Sequence, residues 1–376
     1  MKIYYWCPYL TNIATINAVK RSAISIKKYS QKKPDVTILD SSGEWLFFKN
    51  NIFNINISST LKNINLHKYL PKQGMFFSRF SFIIIFIINF FPLIFKILKY
   101  KPDYLIIHLL TFLPIVLSPL ISKKTKIILR ISGYPEMTIF RKILWKLFSK
   151  YLYAITAPTN LTKDHLINNN IFEKHKIKVV KDPIIVASEI NNKKKLKNEL
   201  ENINGKFYVA IGRLTNQKNF SFLIDSFSNN LNKIKIKKLL IVGEGENYKL
   251  LKEKIIKKKM EKNIFLIGFK KNVYNIINDS SGLISVANYE DPGFTLIEGA
   301  FLKKIIISSL VKNGPIEMNE FGNTGYFFEH NNEKDFISKI LESEKTDNLK
   351  KIKNAIKFSK EYSIFQHFKK LEEILI

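Results

Sequence analysis

The sequence holds one cysteine, Cys7, in 376 residues. That excludes a disulfide framework and any cluster of thiolate metal ligands, and it suits a reducing compartment. Cys7 lacks the cationic setting that activates a thiol, so a buried and unreactive side chain is expected. His67, His165, His175, His330 and His367 stand singly, without ligand spacing, and no Asp-x-Asp triplet occurs. No metal and no other cofactor is therefore expected. Acidic residues are short, 31 against 61 Lys plus Arg, for a formal net charge of +30. No basic helix or aromatic-interleaved basic motif accompanies that surplus, so nucleic acid is not the expected partner. Two readings of the charge stay open. One is a polyanionic partner, an anionic membrane surface or phosphorylated substrates; the other is compositional drift, since Lys, Asn and Ile are used heavily throughout. No signal peptide is expected, because Met1–Trp6 runs straight into a plausible strand.

Long apolar runs are also missing, with one partial exception, Phe80–Phe95 (FSFIIIFIINFFPLIF). It is shorter than the ~20 residues a spanning helix needs, and it carries Asn89 and Pro92. The expectation is a core helix kinked at Pro92. The alternative is a helix lying on a membrane, with Arg79, Lys96, Lys99 and Lys101 at the headgroups.

What is present is a globular composition, 46% hydrophobic and 24% charged, in a chain long enough for two cores. Short apolar runs alternate with helical periods in both halves, predicting parallel sheets covered on both faces. The expected domains are residues 1–184, a polar linker at 185–204, residues 205–360, and a C-terminal helix at 361–376 packing back on the first domain. Two such doubly wound domains, facing one another, leave a cleft at the carboxyl ends of their strands.

The second half places charged groups at those ends. Arg213 and Lys218 lie on a loop that leaves a strand, where a fork and a point charge can clamp a diphosphate. Gly243 and Gly245 make a tight turn after the next strand, and Gly268 and Phe269 follow another. The stretch from Ser285 to Ser309 reads as strand, loop, helix, strand. Glu290 falls in its loop and Glu298 in its helix, with Asp291 suited to cap the helix and Pro292 to its first turn. Gly293 allows close approach to the backbone, and the helix N-terminus is a ready anion site. A hydrolase acid–nucleophile pair at Glu290 and Glu298 would leave these diphosphate groups unexplained.

In order, GRLTNQKN, LLIVGEGE, IFLIGF and YEDPGFTLIEGA resemble the GT4 family of retaining glycosyltransferases, glycosyl transferases group 1, with the GT-B fold. The resemblance runs from Phe207 to about Phe328 and includes Asn313-Gly-Pro-Ile-Glu317 and Gly322–Gly325. It implies an α/β fold of two facing Rossmann-like domains, an acceptor-binding one followed by a donor-binding one. It also implies a metal-independent hexosyltransferase at the cytoplasmic side, peripheral to the membrane. That enzyme would move a sugar from a nucleotide-sugar, UDP-linked, to a glycan or lipid-linked glycan in bacterial surface polysaccharide or lipopolysaccharide biosynthesis. By resemblance, Arg213 and Lys218 hold the diphosphate, Glu290 contacts the transferred sugar and Glu298 the ribose. The amides of Phe294 and Thr295 meet the distal phosphate, with Gly243, Gly245, Gly268, Phe269 and Gly293 shaping the nucleotide site. The first domain departs from the family, since Cys7–Ala14 has no glycine where a glycine-rich loop is usual. Thr11 and Asn12 are its remaining hydrogen-bonding groups. His108 is one candidate for a catalytic-site histidine, and a satisfied strand-end histidine is the other reading of it. Arg130, Ser132 and Gly133 are further acceptor-side candidates. A nucleotide-sugar epimerase of similar fold and a non-catalytic polyanion- or membrane-binding protein on the same scaffold remain the alternatives.

Overall fold

A computed structural model describes residues 1–11, 14–48, 55–61, 65–72, 75–197, 200 and 203–375. It divides into two units, Met1–Pro183 with Ile364–Ile376, and Ile184–Ser363.

The first unit contains, in chain order, β1 (Lys2–Trp6), α1 (Ala14–Tyr29), β2 (Asp35–Asp40), β3 (Asn56–Ser59), α2 (Met75–Tyr100), β4 (Tyr104–Ile107), α3 (Phe112–Ile121), β5 (Lys126–Arg130), α4 (Ile139–Phe148), β6 (Ala154–Ala157), α5 (Asn160–Asn168) and β7 (Ile177–Val179). Its strands form one parallel sheet in the order β3-β2-β1-β4-β5-β6-β7. Burial on both sides explains the near-continuous Ile, Leu and Val of β4 and β5. Alternate residues face opposite layers: Tyr4, Trp6, Leu105 and Ile107 join one core, and Ile3, Tyr5, Tyr104 and Ile106 the other. β3 has no apolar run. It is an edge strand of sequence NISS, half-exposed, and an edge needs no double burial.

The second unit contains α6 (Ala187–Lys193), β8 (Tyr208–Ile211), α7 (Phe220–Asn229), β9 (Leu239–Val242), α8 (Tyr248–Lys257), β10 (Ile264–Leu266), α9 (Tyr274–Asp279), β11 (Gly282–Ser285), α10 (Phe294–Phe301), β12 (Ile305–Ser309), α11 (Gly314–Glu320), β13 (Tyr326–Phe328), α12 (Glu333–Lys345) and α13 (Leu349–Lys360). Its parallel sheet has the order β10-β9-β8-β11-β12-β13. In each sheet the order reverses beside the first strand, between β1 and β4 and between β8 and β11. At such a switch point the connections depart to opposite faces and leave a crevice at the carboxyl ends.

The polar segment at 185–204, read from sequence as a linker, is built into the second unit. Ile190 of α6 is buried, Asn272 donates to the Lys193 carbonyl at 2.9 Å, and Asn275 to that of Leu196 at 3.1 Å. Ile184 and Ile185 both donate to the Tyr362 carbonyl, at 2.8 and 2.9 Å.

The chain's last helix, α14 (Ile364–Glu372), lies in the first unit. Phe368, Leu371, Ile374 and Leu375 share a core with Ile16, Val19, Ala23 and Ile26 of α1. A buried polar chain joins the two helices. The His367 Nδ1–H donates to the Lys181 carbonyl at 2.7 Å, which leaves Nε2 to accept from Ser22 Oγ at 2.8 Å. Ser22 Oγ accepts in turn from the Tyr5 hydroxyl at 2.8 Å. Burial, with Arg130 nearby, lowers the His367 pKa to about 3.

The expected core helix at 80–95 is a correction. α2 runs on through Pro92, and only one side of it is covered. Asn89, fully buried, donates to the Ser41 carbonyl at 3.1 Å, and Ser81 donates to that of Pro71 at 2.7 Å. The polar residue that argued against a membrane span is thus the anchor of the helix on its sheet.

The folded protein holds His367 neutral, whereas the unfolded chain protonates it below about 6.5. Its contribution to stability is therefore complete above that pH and is lost as pH falls towards 3. Glu44, pushed up to about 8 by burial and by Asp40, acts with the opposite sign. The test is consequently a difference. Between pH 6.5 and 5.5 the wild type should lose about 1 kcal/mol of unfolding free energy relative to His367→Gln. Parallel pH profiles in chemical denaturation would refute the assignment.

Candidate functional site

The switch point of the second sheet brings two distant loops together. The loop after β8 carries Arg213 and Lys218, and the loop after β11 carries Glu290. Lys218 Nζ lies 2.6 Å from Glu290 Oε1 across 72 positions of sequence, with both side chains largely buried. Ser285 Oγ donates to the same oxygen at 3.4 Å. The backbones are laced as well. Asn288 N donates to the Gln217 carbonyl at 2.8 Å, Asn288 Nδ2 to that of Asn216 at 2.8 Å, and Gln217 Nε2 to that of Tyr289 at 3.2 Å. Arg213 stays exposed, its guanidinium 3.4 Å from Gln217 Oε1. Lys218 is thus a fixed charge and Arg213 an outer one.

The glycines close this region from the β9 side. Gly243 has φ +145°, and a Cβ there would sit 1.9 Å from the Gly212 carbonyl oxygen. Its N–H donates to the Gly268 carbonyl at 2.9 Å, which ties the β9 and β10 ends together. Gly245 packs against the Leu214 backbone, and Phe269 is exposed beyond Gly268.

α10 begins two residues later than its sequence signals suggest. Gly293, at φ +90° in the left-handed region, is its N-cap. Pro292 precedes the helix, and Asp291 does not cap it. The Asp291 carboxylate accepts from Asn313 Nδ2 at 3.0 Å instead, and Gly314 N lies 3.4 Å from the Glu290 carbonyl. The Asn313–Glu317 motif therefore flanks the Glu290 loop. The first helical hydrogen bond runs from Ile297 N to the Gly293 carbonyl, so the Phe294 and Thr295 amides belong to the first turn, where donors point outward. A Cβ on Gly293 would lie 3.5 Å from that of Glu290, which puts the acid beside the start of the helix. Glu298, inside α10, is buried and accepts from the Tyr274 hydroxyl at 3.1 Å. The two glutamates therefore have separate partners.

The first unit gathers most of its candidates at one depression. His108, Arg130, Ser132 and Gly133 border a hollow of about 460 Å³, together with Thr111 and Arg141. Ser132 Oγ is 3.5 Å from His108 Nδ1, and burial, with Arg130 and His367 near, holds the imidazole well below its usual pKa. His108 Nε2 is buried without a hydrogen-bond partner. A neutral imidazole with one free nitrogen suits proton handling at that spot. Arg130 is mainly structural, with its guanidinium 2.5 Å from Asp182 and also bonded to the Val180 carbonyl. Thr11 is exposed at the end of the β1 loop; Asn12 lies outside the described residues. Burial pushes the Cys7 thiol pKa up, as expected of an inert thiol.

Sequence reasoning missed Ser285, Gln217, Tyr274 and Asp182. The first two stand at a strand end and in the cation loop, where a polar residue is a signal. Tyr274 and Asp182 meet their partners only through the fold.

Two parallel-sheet α/β units of this kind define the GT-B fold. The HepE structure from Anabaena, solved with UDP, superposes over 100% of this chain and 99% of its own, with a TM-score of 0.74 at 13% identity. The galactosyltransferase WaaB of the lipopolysaccharide outer core does so over 100% and 99%, at 0.68 and 15%. Residues 191–361 match the family Glycosyl transferases group 1. Among curated relatives, an uncharacterized glycosyltransferase of Methanocaldococcus jannaschii is 30% identical over 60% of this chain and 60% of its own length. The poly(ribitol-phosphate) alpha-N-acetylglucosaminyltransferase of Staphylococcus aureus is 29% identical over 35% of this chain and 27% of its own. An amylovoran biosynthesis glycosyltransferase of Erwinia amylovora is 31% identical over 38% and 40%. The matches thus span less than two thirds of these relatives.

Removing one member of the Lys218–Glu290 pair strands the other. Lys218→Met should cost about 3 kcal/mol, while adding Glu290→Gln to it restores part of that loss. Denaturation of the two single variants and the double variant gives the coupling energy, and additive losses would refute the pair's role.

Proposed function

We propose that the protein is a retaining glycosyltransferase of the GT4 type, moving a hexose from a nucleotide-sugar, UDP-linked, to a glycan or lipid-linked glycan. The observation that carries this reading is the Lys218–Glu290 pair fixed beside the first turn of α10. It provides a rigid cation and helix amides for a diphosphate, and a carboxylate for the sugar attached to it. The relatives named for poly(ribitol-phosphate) and amylovoran support bacterial surface polysaccharide or lipopolysaccharide assembly as the setting, and the UDP bound to HepE supports the donor. A free buried thiol suits reaction in the cytoplasm.

In this reading, the bond between the sugar's anomeric carbon and the diphosphate oxygen breaks. The leaving oxygen gains negative charge, which Lys218, Arg213 and the Phe294 and Thr295 amides stabilise without reorganising. That positive charge does the work a divalent ion would otherwise do, so the reaction is proposed to be metal-independent. The acceptor hydroxyl attacks the same face that the phosphate leaves, and its proton passes to the departing phosphate oxygen. Glu290 holds the transferred sugar by its hydroxyls, and Glu298 the ribose. Gly243 lets the backbone after β9 pack against the Gly212 loop beside the nucleotide site. The depression at His108 and Ser132 receives the acceptor.

A thermal-shift screen across nucleotides tests the donor side. UDP or a UDP-sugar at 100 times its dissociation constant should stabilise by about 2.7 kcal/mol, and Arg213→Ala with Lys218→Ala should abolish the shift. Glu290→Gln should keep UDP binding yet slow donor hydrolysis at least about 100-fold. A chelator should leave that hydrolysis unchanged. Absence of any shift with every nucleotide sugar would rule out the enzyme reading.

A further inference from the structure

The first unit carries an exposed apolar surface on two helices. Along α2, Phe76, Phe80, Ile83, Ile87, Phe91 and Phe95 recur at spacings of three and four, so they stack on one side of the helix. All six are exposed, Phe76 by 78% and Phe95 by 67%. The opposite side holds Ile85, Asn89 and Leu93, buried against the sheet. α4 repeats the pattern, with Ile139, Phe140, Ile143 and Leu147 exposed while Trp145 points inward. Phe112 of α3 joins the two, its ring 5.3 Å from Phe86 of α2 and 5.7 Å from Phe140 of α4. The result is one continuous patch, where a soluble surface rarely leaves so much apolar area bare.

The charge around the patch is predominantly positive. Arg79 and Lys99 flank the stripe on α2, and Lys142, Lys146 and Lys150 stand exposed on or beside α4. Neither helix contains an Asp or Glu, and between Leu66 and Tyr151 the acids are Asp103 and Glu136 alone. A second copy of the chain on this face would set those cations against their own equivalents. A spanning helix is excluded by the other side of α2, whose Asn89 and Ser81 are hydrogen-bonded to the body of the unit.

We propose that the outer faces of α2 and α4 form a docking surface for an anionic lipid bilayer, lying in the interface with their aromatic and aliphatic side chains among the acyl chains and the lysines at the phosphates. The hollow at His108 shares Arg141 and Trp145 with α4, so docking brings that hollow to the membrane surface. An acceptor carried on a lipid reaches it without leaving the bilayer.

Flotation of the purified full-length protein with vesicles tests the surface without any sugar nucleotide, so a failed donor screen would leave it standing. The wild type should float with phosphatidylcholine–phosphatidylglycerol vesicles and far less with phosphatidylcholine alone. Ile87→Asp with Phe91→Asp should reduce binding at least about tenfold, since both side chains are exposed and the fold does not depend on them. Lys142→Gln with Lys146→Gln should weaken binding roughly thirty-fold, on the basis of about 1 kcal/mol per cation, and the difference should shrink in high salt. The proposal is overturned if the wild type stays unbound on anionic vesicles, or if both variants float as it does. It is equally overturned if the free protein is a dimer that Ile87→Asp with Phe91→Asp splits, which would assign the face to a second copy.

Discussion

The Lys218–Glu290 ion pair is the contact on which the donor-side architecture depends. Burying two charges costs several kcal/mol each unless they meet with good geometry and further hydrogen bonds. Here they do, at 2.6 Å with Ser285 in support. The loops that hold them are tied together by one backbone hydrogen bond and two from side chains to backbone carbonyls. The pair is possible because β8 and β11 are neighbours whose connections depart to opposite faces, which leaves both loops standing over the same crevice. Gly243 then allows the surrounding backbone to close to a distance a side chain would forbid, and Gly293 supplies the left-handed turn that starts α10.

The first unit spends its buried polar groups differently. The Tyr5–Ser22–His367–Lys181 chain and the Arg130–Asp182 pair fasten the last helix and the last strand to the sheet. His108, beside them, has one ring nitrogen buried without a hydrogen-bond partner. A buried polar atom left unsatisfied costs free energy. The hollow proposed for the acceptor lies beside that nitrogen.

The same unit leaves apolar surface on its outside and positive charge around it. The two features are one device when the partner is an anionic interface, because apolar insertion supplies affinity and the cations supply orientation. The net charge of +30 is then concentrated usefully in at least one place, whatever drift contributes elsewhere.

Much of this was legible in the sequence. Buried runs of Ile, Leu and Val named the strands other than the edge strand β3, since a strand covered on both faces has no other composition available to it. Arg213, Lys218, Glu290 and Glu298 stood out only in combination, through the order of motifs that resembles the GT4 glycosyltransferases. Asp291 and Pro292 misled, because a cap is decided by which backbone the side chain can reach, and Asn313 reached Asp291 first. The polar stretch after Ile184 looked like a linker because its anchors, Tyr362, Asn272 and Asn275, lie far along the chain. The sequence by itself determined the sheets, their order of helices and the inventory of charges, all of which follow from local period and composition. Tertiary structure alone decided which side of Phe80–Phe95 is bare, which nitrogen of His108 is free, and that Lys218 is held by Glu290. Those outcomes depend on contacts between positions tens of residues apart, where no periodicity reaches.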